Sequence, residues 1–217
     1  SKDRLVTMLR DNPRLRGKVK ESRSKDSNNT ILHKRFPGGH ITIAGANSAA
    51  SLAARPIRMV ICDEEDRYPL SAGTEGDPVA LAEKRMESFP DAILIEASTP
   101  TIKGVSRIEK RIEVSDKRYW FVKHSCGHEY YLDKEQFHYD DQNPEDAWLE
   151  CPHCGLRIYD EERRAMVSAG FPKATAKFTG VRGYIIPGIN TLFRPRKPYK
   201  TQLHKLAVET INATIKG

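Results

Sequence analysis

Ile57-Arg58-Met59-Val60-Ile61-Cys62 runs straight into Asp63-Glu64-Glu65-Asp66. Apolar except for Arg58, residues 57–62 read as a buried strand. A buried strand that ends in carboxylates is the pattern of an α/β site at the carboxyl edge of a parallel sheet. Downstream, Gly76-Asp77-Pro78 opens a helix through Phe89, with Asp77 as its N-cap and Pro78 at its first position. Residues 92–97 form a second apolar strand, which ends in Ser98-Thr99-Pro100-Thr101, and a helix follows over about 106–114. Strand, carboxylates, helix, strand, polar turn and helix make a βαβα layout.

Upstream of this stretch, residues 3–11 read as a short helix closed by Pro13, and 14–28 as a polar, basic loop. Residues 30–36 and 40–46 read as a strand pair around Pro37-Gly38-Gly39, followed by a short helix over 48–54. After Lys117 the texture changes to short aromatic strands at 119–123, 129–132 and 136–139. A helix over 160–169, a strand over 181–189 and an amphipathic helix over 201–215 complete the chain.

Four apolar residues before Asp63-Glu64 have the shape of a Walker B segment. The strand holds the next side chain rigidly at the sheet edge, so Asp63 would hold Mg²⁺ opposite nucleotide phosphates. Glu64 would orient and deprotonate the attacking water. Alone, the same residues also fit a solvated acidic turn. Ser98 and Thr99, at the end of the next strand, offer hydroxyls that donate to a phosphate oxygen or a catalytic water without adding charge, which suits a coupling turn. The same residues also fit a simple helix cap. No GxxxxGK[ST] occurs in the 217 residues. A nucleotide site built on Asp63 therefore has no phosphate cradle within this chain.

Cys151-Pro152-His153-Cys154-Gly155 is a zinc-knuckle signal, because its tight turn points two thiolates at one Zn²⁺ ion. The partner half-site is irregular. Lys123 stands where a second cysteine would pair with Cys126, and His124 and His128 flank that cysteine. Either histidine completes a Cys₃His set. Cys62 reads as a small buried hydrophobe, and Trp120 and Trp148 as packing for a small core.

The charge is unevenly placed. Residues 1–35 hold 11 Lys/Arg against 4 Asp/Glu, residues 182–217 hold 7 against 1, and the middle holds 18 against 24. Basic ends around an acidic centre suit contact with polyanions at the periphery. Lys18, Lys20, Arg23 and Lys25 at one end, and Arg194, Arg196 and Lys197 at the other, are the candidate DNA contacts. Four cysteines do not make a disulfide scaffold at this length. No apolar run reaches bilayer length, and the first residues lack the apolar segment of a signal peptide, so neither membrane insertion nor secretion is expected.

The order of motifs resembles the large terminase subunit of tailed phages, in its GpA-like branch. The resemblance is carried by Phe36-Pro37-Gly38-Gly39, Gly45-Ala46-Asn47-Ser48, Arg55-Pro56-Ile57-Arg58, Asp63 through Pro69, Glu75-Gly76-Asp77-Pro78, Ser98-Thr99-Pro100-Thr101, Ser106-Arg107-Ile108-Glu109, Ser115-Asp116-Lys117-Arg118 and the late Cys-Pro-His-Cys-Gly. It implies a DNA-packaging motor that uses Mg²⁺ and ATP, acts on double-stranded DNA in the host cytoplasm and also cuts it as an endonuclease. It further implies a homo-oligomeric ring docked on a portal protein at the capsid, and a small terminase subunit as partner. The family's Walker A would lie ahead of residue 1 and its nuclease domain beyond the last residue. The fold expected is α/β, with a mainly parallel sheet of P-loop ATPase type and a small zinc-ribbon-like β element. Residues 1–118 would be the C-terminal part of the ATPase domain. Residues 119–158 would be the zinc-binding element, and 159–217 the end of the ATPase domain and a linker. The alternative is a zinc-ribbon nucleic-acid-binding module without ATPase activity.

Overall fold

The computed structural model describes residues 2–15, 17–19, 30 and 32–216, so Lys20, Arg23 and Lys25 lie outside the described residues. The chain divides into two compact units, Ser1–Thr101 and Ile102–Gly217.

The first unit begins with helix α1 (Lys2–Asp11). Strands β1 (His33–Phe36) and β2 (Gly39–Thr42) form an antiparallel hairpin whose last pair is Phe36 with Gly39. The two-residue loop needs a left-handed backbone, which Gly38 supplies at φ 88°. A short helix α2 (Ala49–Ala53) follows. Strand β3 (Met59–Asp63), helix α3 (Pro78–Glu83) and strand β4 (Ile93–Ala97) make the expected βαβ unit. The two strands are parallel and in register from Met59 opposite Ile93 to Asp63 opposite Ala97. Asp77 caps α3 by accepting from Val79 N and Ala80 N at 2.9 and 3.0 Å. The helix expected through Phe89 ends at Glu83, and the chain goes on in tighter turns such as Met86 N to Glu83 O. Pro90 excludes helical backbone at Phe89, so the segment unwinds before it.

The expectation of a buried strand holds for one face only. Cys62 is buried on the side where α3 packs, but Met59 and Ile61 are 50% and 64% exposed, beside exposed Ile93 and Ile95. A parallel sheet needs cover on both faces, and among the described residues of this unit only one face has it.

The second unit opens with α4 (Arg107–Glu113), capped by Ser106. The strands are β5 (Arg118–Lys123), β6 (Glu129–Tyr131), β7 (Phe137–His138), β8 (Trp148–Glu150) and β9 (Arg157–Ile158). Helix α5 (Asp160–Ser168), strands β10 (Phe171–Ala174) and β11 (Tyr184–Ile185), a 3-10 turn (Gly188–Asn190) and helix α6 (Gln202–Lys216) follow. Strand β5 pairs antiparallel with β6 and β10 and parallel with β11, while β7, β8 and β9 form a separate antiparallel sheet. The mainly parallel sheet expected is therefore not what the described residues build: among them, parallel ladders occur at β3–β4 and β5–β11. Short turns join most successive strands after residue 118, and a short turn can link only antiparallel neighbours.

Val122, Leu132, Leu149, Ile158 and Leu203 are essentially inaccessible, so the β elements share one core with α5 and α6. Trp120 packs against that core and donates to Val167 O at 2.9 Å. The strand expected over 181–189 is reduced to Tyr184–Ile185. Gly183 N donates to the buried Asp116 carboxylate, and Pro187 has no N–H to give.

Arg163 then fixes what comes next. Fully buried, it pairs with Asp160 and donates from Nη1 to the carbonyls of Ile189 and Thr191. Removing one partner of such a buried network costs about 3–5 kcal/mol. Arg163→Ala is thus expected to lower unfolding free energy by about that amount in a denaturant titration, with increased hydrogen exchange at 188–191. An unchanged midpoint would refute this role.

Candidate functional site

Two constellations stand out, one in each unit. In the first, β3 delivers Asp63 to the carboxyl end of the parallel pair, where its backbone N–H donates to Tyr68 Oη at 3.1 Å. Glu64 N continues the ladder to Ala97 O at 2.7 Å. Glu64 then takes a left-handed backbone (φ 57°, ψ 47°), which is uncommon for a side chain with a Cβ. That turn leaves both Asp63 and Glu64 exposed and buries Glu65 completely. Glu64 lies 3.4 Å from Arg67 Nε.

Asp66 joins this acidic turn to the second polar turn. Its N–H donates to Ser98 Oγ at 3.1 Å, and its Oδ2 accepts from Thr101 N and Oγ1 at 2.9 and 3.1 Å. Ser98 Oγ also faces Thr99 O at 3.3 Å, and Thr99 is exposed. The structure thus brings Asp63, Glu64, Ser98 and Thr99 to one sheet edge through a residue the sequence reading left in the turn. Its only signal was its place as the fourth acid of the run. Burial, and then the Glu96 and Glu65 carboxylates, push the Cys62 thiol up to about 11, so it stays a neutral hydrophobe.

In the second unit, two turns meet. His124 and Cys126 lie between β5 and β6, and Cys151 and Cys154 between β8 and β9. Gly155, at φ 71°, lets the second turn close with its N–H on Cys151 O at 2.9 Å. One donor atom from each of His124, Cys126, Cys151 and Cys154 lies within 4.8 Å of all the others. His124 Nδ1 is 3.1 Å from Cys126 Sγ and 3.6 Å from Cys154 Sγ, and the sulfurs of Cys126 and Cys151 are 3.9 Å apart. Ordinary Zn–S and Zn–N bonds in a tetrahedron give edges of roughly 3.8 Å between sulfurs and roughly 3.5 Å between nitrogen and sulfur. The four residues fit the ion.

Their surroundings fit it too. His124 Nε2 faces Glu162 Oε1 at 3.5 Å and Ser125 Oγ at 3.3 Å, the outer partners that leave Nδ1 free as a ligand. Burial opposes ionisation of Cys151, but the N–H groups of Cys154 and His153 hold its thiol below the ordinary range. At Cys154 the Leu156 N–H favours the thiolate, yet burial and the other two sulfurs together push it up. A cation among the sulfurs would remove that conflict. Glu162 escaped the sequence reading because a first-turn glutamate in α5 carries no spacing signal. The His128 ring is outside the group: it is exposed and stacks on His153, with centroids 4.7 Å apart.

The remaining sequence candidates lie elsewhere. Lys18 is exposed after α1. Arg194, Arg196 and Lys197 are exposed in the segment between the 3-10 turn and α6. Of the arginines outside that set, Arg58 pairs with Asp91, and Arg118 pairs with Asp116 at 2.8 Å.

The family model described as "Phage terminase large subunit gpA, ATPase domain" matches residues 1–171. The chain belongs to that family. Among curated proteins, the terminase large subunit of Enterobacteria phage P21 is 31% identical over 147 residues, covering 64% of this chain and 23% of the relative. That of Escherichia phage lambda is 27% identical over 163 residues, covering 71% of this chain and 25% of the relative. The chain thus spans about a quarter of the length of these terminase subunits. No solved structure matches it. Among the described residues no helix is long and apolar enough to cross a membrane. Membership of a terminase family weighs against the zinc-ribbon module as a complete description of the chain.

Proposed function

We propose that this chain is the Walker B and coupling portion of an ATP-driven motor that packages concatemeric DNA into a capsid. The observation that carries the reading is the placement of Asp63 and Glu64 at the carboxyl end of β3–β4, tied through Asp66 to the Ser98–Thr101 turn. Magnesium-ATP, when bound, supplies the phosphoryl group to be cleaved and the charge neutralisation its cleavage needs. Asp63 would hold the magnesium, and Glu64 would orient a water and take its proton. Ser98 and Thr99 would pass the state of the site on through Asp66. No GxxxxGK[ST] lies within these residues, so the purified 217-residue chain is expected to hydrolyse no ATP. Robust magnesium-dependent turnover by it would refute the assignment.

His124, Cys126, Cys151 and Cys154 would hold a structural Zn²⁺ that fixes the 119–158 element, between an ATPase portion at 1–118 and an ATPase end and linker at 159–217. The whole protein would work as a homo-oligomeric ring on the portal, with a small terminase subunit. It would act in the host cytoplasm and carry the endonuclease activity that cuts the concatemer.

A motor must grip phosphates without reading sequence, which calls for Lys and Arg. Lys18, Lys20, Arg23, Lys25, Arg194, Arg196 and Lys197 would supply that grip. Duplex binding is then weak, indifferent to sequence and steeply salt-dependent. Neutralising Arg194, Arg196 and Lys197 together should flatten the log–log salt slope by roughly two to three units if all three touch phosphate. An unchanged slope would assign these charges to solubility, and a strong preference for one sequence would favour the zinc-ribbon module.

A further inference from the structure

The segment that Arg163 anchors walls a cleft of about 510 Å³. Its lining is one-sided in charge: Arg194, Arg196, Lys197 and Lys205 line it, and no carboxylate does. Lys205 is paired with Glu209 at 3.4 Å. The other three make no ion pair among the described residues. At the mouth, Phe193 is 83% exposed, a large apolar ring with nothing of its own unit covering it. On the inner side lies Gln202, only 5% exposed, whose side-chain amide makes no hydrogen bond among the described residues. Unpaired cations, a bare aromatic ring and an amide with no protein partner among the described residues therefore share one concavity.

We infer that this cleft binds single-stranded nucleic acid, with phosphates on Arg194, Arg196 and Lys197, an unpaired base against Phe193, and Gln202 donating to the strand. The inference rests on the reading of the chain as part of a DNA-handling protein, and deepens it by naming the form of DNA. A duplex can offer only its backbone to the rim of such a cleft, since its bases are stacked inside and give Phe193 no ring face to meet. A space of this size is of the order that encloses one small ligand, enough for a nucleotide of a single strand. Free nucleotides share the phosphate-and-base chemistry. The strand is preferred because three separate cations serve several phosphates better than one, and backbone tracking joined to aromatic stacking is how single strands are held.

The test uses fluorescence anisotropy on the intact chain with four probes: a short labelled oligothymidylate, an abasic strand of equal charge, a duplex, and free ATP as competitor. Phe193→Ala should weaken oligothymidylate binding by about tenfold and leave the abasic strand and the duplex unchanged. Neutralising Arg194, Arg196 and Lys197 should flatten the single-strand salt slope by about two units. Gln202→Met keeps the side chain's volume and removes the donor without burying a charge, so the thermal midpoint should hold while strand binding weakens severalfold. Equal losses on the thymidylate and abasic strands, or none on either, overturn the inference, as does ATP displacing the strand at matched phosphate concentration. Duplex binding indifferent to Phe193 would leave the packaging reading standing while a failed thymidylate arm removes this one. A working cleft in a protein whose ATP turnover ignores Glu64 would do the reverse.

Discussion

Glu64→Gln in the full-length protein is expected to leave ATP binding nearly intact and to cut turnover by about 10²–10⁴-fold, the usual contribution of a positioned general base. Glutamine keeps the length, planarity and polar contacts of the side chain but cannot accept a proton. The fold around it should not change, because the Glu64 side chain is half exposed and its charged partner Arg67 is more exposed still. Asp63→Asn should differ in kind. It removes charge where magnesium would sit, so nucleotide affinity should fall along with turnover. Glu65→Gln provides the control. Glu65 is fully buried beneath the turn, so its replacement should act on stability and only through that on rate. Steady-state turnover, equilibrium nucleotide binding and the thermal midpoint, measured on one preparation of each variant, separate the three. A Glu65→Gln enzyme that folds normally but does not turn over, beside an active Glu64→Gln enzyme, would shift the catalytic register by one residue.

The sheet edge that carries these residues was legible because β3 and β4 are short apolar runs closed abruptly by acids and by hydroxyls. The hairpin was legible for the same reason, with Gly38 marking the turn. Strand direction after residue 118 was not. Strands of two or three residues leave almost no periodicity, and only the turns between them reveal that they run antiparallel. The shortened strand at Tyr184–Ile185 depends on the Asp116 carboxylate, 67 residues away in sequence, capturing Gly183 N. The role of Arg163 depends on carbonyls 26 and 28 residues further on. Long-range pairings of this kind override local preference and leave no local trace. At the carboxylate site the reading found the residues at the sheet edge but not Asp66, which links them. At the cysteine group it left His124 and His128 open, since each lies two residues from Cys126. Burial separates them: His124 leaves β5 pointing inward at 3% exposure, while the His128 ring sits outside.

That separation feeds the second large effect. Chelating zinc from the chain, or replacing Cys151 or Cys154 by serine, is expected to unfold the 119–158 element while sparing the β3–β4 pair. Cys151 is 1% exposed and part of the core that Val122, Leu149 and Ile158 build, so its loss touches packing as well as coordination. Structural zinc sites contribute about 10–16 kcal/mol in isolated finger peptides at neutral pH, against a total stability of about 5–15 kcal/mol for an ordinary domain. The bound ion would therefore account for most of what holds these short strands together. Purified chain should carry about one zinc per molecule by elemental analysis. His124→Ala should lose it and His128→Ala should retain it, because only His124 presents a ring nitrogen among the three sulfurs and has Glu162 behind it to set the tautomer. Hydrogen exchange followed region by region would show protection vanish around β5–β9 on chelation and persist at Met59–Asp63. A zinc-free chain with reactive thiols and full protection across both regions would end the assignment. Retention of zinc by His124→Ala, with loss in His128→Ala, would keep the metal but move its fourth ligand to the outer ring.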